Sequence, residues 1–305
     1  MKTDKKVAVL LSAYNGKRYI AEQVDSILNQ TYPNLHLYIR DDCSTDGTLQ
    51  VLEQYRENPR VTLIRGSENL GYPEGFYELL RTVTDADYYS FSDQDDVWEP
   101  DKIARAVTGL SRRNPNLPAM FFANYEICDE KLNFIRLSPC LRTKPGFLNS
   151  LYACLGLGFT IVLNTPAKEM ITNQRSVYGE TKDVWIGMLC SAFGEIIFDR
   201  KSCAKHRRNP GAYSAESIHF WKTQKERFRE LFLNDGFTYI HTVMQEFYDT
   251  YRGKLQKDDE AALSLLVDMS RRPSHVLKKV FFPHRLRYEW KDEIMLRLVF
   301  LIGRL

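Results

Sequence analysis

Apolar runs of strand length alternate with amphipathic helical segments over the first 130 residues, and that order leaves few folds open. Residues 7–12 form a continuous apolar run of the kind buried on both faces of a parallel sheet. Ile20, Val24, Ile27 and Leu28 follow at helical spacing, and Pro33 ends that segment. The pattern predicts further strands at residues 36–40, 61–64, 88–91 and 120–125. Helices are predicted between them, through Val51, Leu52 and Tyr55, through Phe76, Leu79, Leu80 and Val83, and through Ile103, Val107 and Leu110. Ser44 and Asp46 stand where they can cap the first of these. Such alternation predicts an α/β fold, a mostly parallel sheet with helices on both faces and ligands beyond the carboxyl ends of the strands. Three polar clusters fall at those ends: Tyr14-Asn15, Asp41-Asp42, and the acids from Asp93 to Asp96. Topology therefore predicts one shared cleft.

With 305 residues the chain has room for one large domain or two smaller ones. Hydrophobic residues at 44% and charged residues at 27% suit a soluble globular protein, and a net charge of +3 marks no nucleic-acid ligand. Cys43, Cys128, Cys140, Cys154, Cys190 and Cys203 form no CxxC pair and no metal-type spacing, which predicts reduced thiols in the cytoplasm. The start, MKTDKKVAVLLSAYNG, has lysines before an apolar run. That run is short, and Tyr-Asn-Gly stands where a signal peptide has a small-residue cleavage site. No stretch reaches the roughly 18 apolar residues of a membrane span, so the chain is expected to be neither secreted nor integral.

FSDQDDVWEP places Asp93, Asp95 and Asp96 within four positions, directly after an apolar strand. Two like charges about 4 Å apart repel by roughly 4 kcal/mol at an effective dielectric of about 20. Such a cluster either lies in solvent as an acidic turn, or it takes up protons, pairs with cations or binds a metal. Mg²⁺ and Mn²⁺ suit it, because they are held by one or two carboxylates together with substrate phosphates. DDCSTDGT carries one acid more than a helix cap needs, and that acid can accept hydrogen bonds from a nucleobase or a ribose hydroxyl. Asp183 in TKDVWIGML reads either as a helix N-cap or as a general base at the mouth of the same cleft. His206, with Arg207 and Arg208, reads either as part of a basic loop or as a metal-ligating imidazole among cations that offset diphosphate charge. No phosphate-binding P-loop, dinucleotide fingerprint, serine elbow or HExxH is present.

Taken in order, LLSAYNGKRYIAEQVDSILNQTY, IRDDCSTDGT, ENLGY, FSDQDDVW with its following PDK, GFTIVLN and KDVW resemble the family 2 glycosyltransferases of GT-A fold, over about residues 5–210. Within that family the chain is most similar to bacterial rhamnosyltransferases that use dTDP-L-rhamnose in cell-wall or capsular polysaccharide synthesis. The resemblance implies a GT-A catalytic domain over residues 1–214 and a nucleotide-sugar donor. Tyr14, Glu22 and Asp42 would line the nucleotide pocket, Asp42 toward the base. Asp93, Gln94 and Asp95 would form the DxD motif, with Asp95 ligating Mg²⁺ or Mn²⁺ and Asp93 near the ribose or the metal. His206 would face the metal or the diphosphate, with Arg207 as a further donor contact, and Asp183 would be the catalytic base. Two departures stand out: the subgroup's His-Asp-Trp-Trp is here Lys182-Asp183-Val184-Trp185, and its later Tyr-Arg-Gln-His is here KHRRN.

Residues 215–305 read as successive helices. From 271 to 305 nine Lys and Arg stand against three acids, among Phe281, Phe282, Tyr288, Trp290 and the apolar MLRLVFLIGRL. Two roles are open to this end: contact with the inner face of the cell membrane, which suits a lipid-linked saccharide acceptor, or packing on its own core or on a second subunit as a homodimer. Three rival readings remain. One is a family 2 enzyme using another nucleotide sugar such as a UDP-linked hexose. Another is a phosphatase of haloacid dehalogenase type, whose hydrophobic-Asp-x-Asp-x-Val motif FSDQDDV fits. That motif belongs on the first strand of such enzymes and here falls on the fourth. The last is a non-catalytic nucleotide-sugar-binding scaffold, against which Asp42, Asp95 and Asp183 together argue.

Overall fold

Residues 7–11 are completely buried because β1 (Val7–Ala13) lies between two parallel neighbours, β2 (Leu35–Asp41) and β4 (Tyr88–Ser92). β3 (Val61–Arg65) adds to the far side of β2, again parallel. The computed structural model describes residues 4–139, 145–174, 176, 182–208 and 236–303. The crossovers between the parallel strands are the predicted helices α1 (Ile20–Leu28), α2 (Thr48–Leu52) and α3 (Glu74–Thr82), and α4 (Lys102–Leu110) follows the acidic loop. α1 turns Ile20, Val24 and Ile27 inward, and α4 turns Ile103, Ala106, Val107 and Leu110 inward, as their spacing predicted.

Beyond β4 the sheet continues with strands of both directions, in the order β3-β2-β1-β4-β8-β6-β9-β5, with β7 (Phe134–Leu137) paired to β6 (Ala119–Cys128). β8 (Val162–Asn164) runs antiparallel to β4 and β6, whereas β9 (Glu195–Arg207) runs parallel to β6. The fold is mixed α/β, with its parallel half built by the expected β-α-β units. One difference matters for the site. In the sequence the strand signal covers only residues 195–198, whereas β9 continues to Arg207, so Lys205, His206 and Arg207 are strand residues and not part of a basic loop. The cause is pairing on both sides: β6 supplies one ladder, and β5 (Val97–Trp98) supplies the other through Val97–Lys205 and Trp98–Ala204.

The chain divides into two compact units, residues 1–140 with 156–209, and residues 141–155 with 210–305. The break expected at 214–215, Cys140, and the predicted loop and helix from 209 to 235 lie outside the described residues. In the first unit, α6 (Thr165–Asn173) and α7 (Lys182–Phe193) precede β9. The second unit contains the short helix α5 (Phe147–Ser150) and four longer ones, Gly236–Tyr251, Lys257–Val267, Pro273–Val280 and Trp290–Leu301. Val243, Met244, Phe247 and Tyr251, which recur at helical spacing, are buried along the first of these four. Buried Glu293 accepts the Leu286 and Arg287 N–H groups at 2.9 and 2.7 Å, and Arg297 donates to the Lys279 and His284 carbonyls at 2.7 Å each. Among the described residues no helix is long and apolar enough to cross a membrane.

Candidate active site

The loops leaving β1, β2 and β4 are tied to one another by hydrogen bonds. The Gln94 side-chain amide accepts from the Tyr14 N–H and donates to the Tyr14 carbonyl, both at 2.9 Å, which joins the β4 loop to the β1 loop. Asn15 N–H donates to Ser44 Oγ at 3.0 Å, and Asn15 Oδ1 accepts the Thr45 N–H at 2.8 Å, which joins the β1 loop to the β2 loop. Asp46, not Ser44, meets the start of α2, accepting the Thr48 N–H at 2.9 Å. The three polar clusters thus converge as the topology predicted. Gln94, expected at the donor, has its amide engaged by Tyr14, whose ring is left 46% exposed.

Asp42, expected to line the nucleotide pocket toward the base, is engaged by backbone N–H groups and by Arg40. It is buried, with Oδ1 accepting the Leu70 N–H at 3.0 Å and lying 3.1 Å from Arg40 Nη2, and Oδ2 accepting the Gly71 N–H at 2.7 Å. Both oxygens organise the ENLGY loop, in which Gly71 takes a left-handed φ of +69° that a side chain would resist. Through that loop Asp42 presents the exposed Tyr72 ring.

The β5–β9 pairing brings His206 and Arg207 onto the acidic loop. Asp96, fully buried, bonds His206 Nδ1 at 2.8 Å and accepts the Arg207 N–H at 3.3 Å, while its Oδ2 has no partner. The His206 ring stacks on Phe159 at 4.8 Å. Burial pulls the imidazole pKa down, but the charge and hydrogen bond of Asp96 outweigh it and raise it. Arg207 is buried against Tyr19, donating through Nε to the Asp95 carbonyl at 3.0 Å and through its other nitrogens to the Glu130 carbonyl and the Glu22 carboxylate. Its guanidinium therefore clamps the loop from behind. Beneath lies Lys102, completely buried, 3.0 Å from the Trp98 ring centroid and donating to the Phe159 carbonyl at 2.5 Å. Burial lowers its pKa to about 7 in spite of the nearby Asp96 and Asp93 charges.

Asp93 is pushed up from 3.8 to about 7, first by burial, then by the charges of Asp96 and Asp95, with a further contribution from Asp183. That last contribution puts Asp183 in the electrostatic reach of the acidic loop. α7 begins at Lys182, and Asp183 in its first turn projects toward the short 3₁₀ turn Gly158–Thr160. Asp183 Oδ2 accepts the Gly158 N–H at 2.6 Å, and Oδ1 pairs with Lys182 Nζ at 2.5 Å. Lys182 is itself buried, its Nζ 4.0 Å from the Phe91 ring centroid and 5.1 Å from that of Phe76. A Cβ on Gly158 would lie 2.9 Å from Lys182 Nζ and 3.1 Å from Asp183 Oδ1. Gly158→Ala is therefore expected to keep the fold, because the lysine tip can move, yet to displace Asp183. A displacement of about 1 Å costs on the order of 10²-fold in rate, and turnover beside an unchanged melting temperature checks it.

Of the residues named from sequence, Tyr14, Gln94, Asp93, Asp95, His206, Arg207 and Glu22 gather around the acidic loop, Asp183 is electrostatically linked to it, and Asp42 lies buried behind the loop that follows β3. Sequence reasoning missed Lys182, Lys102 and Gly158 as parts of the site, and it named Asp96 in the acidic cluster without giving it a role of its own. For Lys182 the signal was there: it stands directly before the acid, at one of the two departures from the pattern that the chain resembles. No group of three or more His, Cys, Asp or Glu side chains forms a ready metal cage among the described residues. A divalent ion fits in another way. Asp93 and Asp95 crowd one loop, Asp93 is driven toward its protonated form, and Asp96 Oδ2 is unpartnered, so the loop has carboxylate charge in excess of its cations. That suits an ion whose other ligands come from a diphosphate.

The fold is that of the GT-A glycosyltransferases. TarS of S. aureus in complex with UDP superposes with a TM-score of 0.58, at 16% identity over 96% of this chain and 90% of that one. The mannosyltransferase PcManGT from Pyrobaculum calidifontis, in complex with GDP-Man and Mn²⁺, superposes with a TM-score of 0.51 at 16% identity, covering 98% and 86%. The family model described as "Glycosyl transferase family 2" matches residues 8–152, just under half of the chain, and over that stretch the chain is similar to the family. Its relatives include the dTDP-rhamnosyl transferase RfbG of Shigella flexneri, 39% identical over 111 residues. That match covers 35% of this chain and only 38% of RfbG. TuaG of Bacillus subtilis, a glycosyltransferase assigned to teichuronic acid biosynthesis, is 27% identical over 72% of this chain and 84% of its own length.

Proposed function

We propose that the protein is an inverting, divalent-cation-dependent glycosyltransferase that moves L-rhamnose from dTDP-β-L-rhamnose onto a hydroxyl of a lipid-linked polysaccharide precursor at the inner face of the cell membrane. The observation that supports this reading is the chain of contacts from Asp183 to the acidic loop: Asp183 accepts the Gly158 N–H, the ring of the next residue, Phe159, stacks on His206, and His206 bonds Asp96. Similarity to RfbG, named a dTDP-rhamnosyl transferase, supports the sugar. Asp183 takes the proton of the acceptor hydroxyl as its oxygen attacks the anomeric carbon. The bond from that carbon to the diphosphate oxygen breaks on the opposite face, and a β-linked donor yields an α-linked product. Asp95 and His206 hold Mg²⁺ or Mn²⁺, with Asp93 beside the ribose or the ion; when bound, the ion neutralises charge on the departing diphosphate. Asp96 holds the His206 ring with Nε2 available, the arrangement common for ligating histidines. Tyr14 and Glu22 line the nucleotide pocket, while Gln94, Asp42 and Arg207 shape the loops around it.

A panel of nucleotide sugars, read by thermal shift with and without Mn²⁺, tests the reading. Ligand at about a hundredfold its Kd stabilises by about 2.7 kcal/mol, a shift of several degrees for a chain of this size. The largest shift is expected for dTDP-rhamnose with Mn²⁺; a larger one for a UDP-hexose would replace the donor. The metal effect should depend on pH. Because Asp93 has a folded pKa of about 7 against 3.8, it contributes stability at low pH that is lost as pH rises toward 7. A cation needs the ionised carboxylate, so the Mn²⁺-induced rise in Tm is expected to be greater at pH 8 than at pH 6. Equal shifts at both values would remove Asp93 from the metal site.

A further inference from the structure

The last helix of the second unit, Trp290–Leu301, is apolar on two faces. Leu296, Val299 and Phe300 face inward, and the Phe300 ring meets Tyr152 edge-on at 5.9 Å. Trp290, Ile294, Leu298 and Leu301 recur at intervals of four, four and three, which places them along one stripe of a helix. All four are exposed, by 45% to 65%. The helix Pro273–Val280 packs beside this one and carries exposed apolar residues of its own. Arg297, the neighbour of Leu298 in the chain, donates to the Lys279 and Val280 carbonyls at that helix's end, next to Phe281, which is 75% exposed. Leu277, one turn before Phe281, is exposed as well. A stable fold has no use for such a row in water, and single scattered apolar residues would not form one.

The charge around the stripe says what covers it. Arg271, Arg272, Lys278 and Lys291 are exposed on these segments against one exposed acid, Glu289, while Glu293 is buried under Arg297 and Asp292 pairs with Arg287. Arg285 lies 4.3 Å over the Trp290 ring, an aromatic–cation pair suited to the boundary between lipid headgroups and acyl chains. A second copy of the chain would bring the same cations to face their like. A helix of 12 residues is about 18 Å long, too short to cross a bilayer and long enough to lie in its surface.

We propose that this face docks the protein on an anionic lipid leaflet, with the stripe from Trp290 to Leu301, Leu277 and Phe281 dipping into the interface and the flanking lysines and arginines meeting the headgroups. The inference deepens the proposed function, since it puts the catalytic unit where a lipid-linked acceptor resides.

Vesicle flotation of the full chain tests it, with phosphatidylcholine vesicles against vesicles containing phosphatidylglycerol. The wild type is expected to float with the anionic vesicles at low salt and largely to release at high salt. Trp290→Ser with Ile294→Ser and Leu298→Ser is expected to reduce binding by about tenfold or more, with an unchanged circular dichroism spectrum. Lys278→Glu with Lys291→Glu, which leaves the apolar row intact, should weaken binding to anionic vesicles alone. Equal flotation of wild type and both variants overturns the proposal, as does equal binding to both vesicle types. So does a wild-type dimer in sedimentation that the serine variant disperses, without vesicle binding. Release of nucleoside diphosphate from donor in the absence of acceptor is followed alongside. If hydrolysis persists in the serine variant while flotation fails in the wild type, only the docking face falls. If the wild type does not hydrolyse any donor, the reading of the site falls by itself.

Discussion

Asp183→Asn is expected to lower glycosyl transfer by about 10³-fold, the range for loss of a positioned general base, while donor affinity is expected to stay near that of the wild type. Asparagine has almost the same shape and still accepts a hydrogen bond from Gly158, so the turn at Gly158–Thr160 keeps its anchor. What it cannot do is accept a proton. It also leaves Lys182 Nζ without an anionic partner among aromatic rings, so a drop in melting temperature is expected alongside. The two effects separate by measurement: single-turnover transfer reports the chemistry, and titration of the donor reports the site. Wild-type transfer by the variant would place the base elsewhere. A loss of donor binding equal to the loss of transfer would make Asp183 a binding residue.

The second large effect is on stability. Asp96→Ala removes the carboxylate that holds His206 Nδ1 and the Arg207 N–H, and both partners stay buried. Breaking a buried pair on one side costs about 3–5 kcal/mol, and denaturant melts of metal-free protein read it. Asp96→Asn keeps a hydrogen-bond acceptor and should lose less. The deficit depends on pH. His206 has a folded pKa raised above its usual 6.5, so the stability it draws from Asp96 is fully present below 6.5 and lost as pH rises through the raised value. The gap between wild type and Asp96→Ala is therefore largest in mildly acidic buffer and narrows in alkaline buffer. A constant gap would mean that the pair is held by its hydrogen bond alone.

Much of the first unit was legible because its signals are local. The strands at 7–12, 36–40, 61–64 and 88–91 were each marked by a run of apolar residues, and the helices between them by spacing, so the parallel half of the sheet followed from chain order. β9 was not legible past Phe198. Residues 199–202 have no strand signature, and the partners of the following Ala204 and Lys205 are Trp98 and Val97, about a hundred residues away. The same long-range pairing decides what His206 and Arg207 do. As a loop they would be mobile cations; as strand residues one is held on Asp96 and the other clamps the acidic loop. Asp42 shows the opposite limit. Its place at a strand end could be read, but that its oxygens meet Leu70, Gly71 and Arg40 depended on where the next loop returns.

Sequence by itself determined the class of fold, the strand ends at which the polar clusters sit, and the residues able to carry acid–base and cation chemistry, because periodicity and side-chain chemistry act over a few residues. Only the tertiary structure decided which of those carboxylates stay open to a ligand and which are taken by backbone N–H groups, lysine or histidine. It also decided that the apolar residues of the final helices would line up on an outer face. Both outcomes depend on partners brought close by folding and on the burial that strengthens their charges, and neither quantity is written at any one position of the chain.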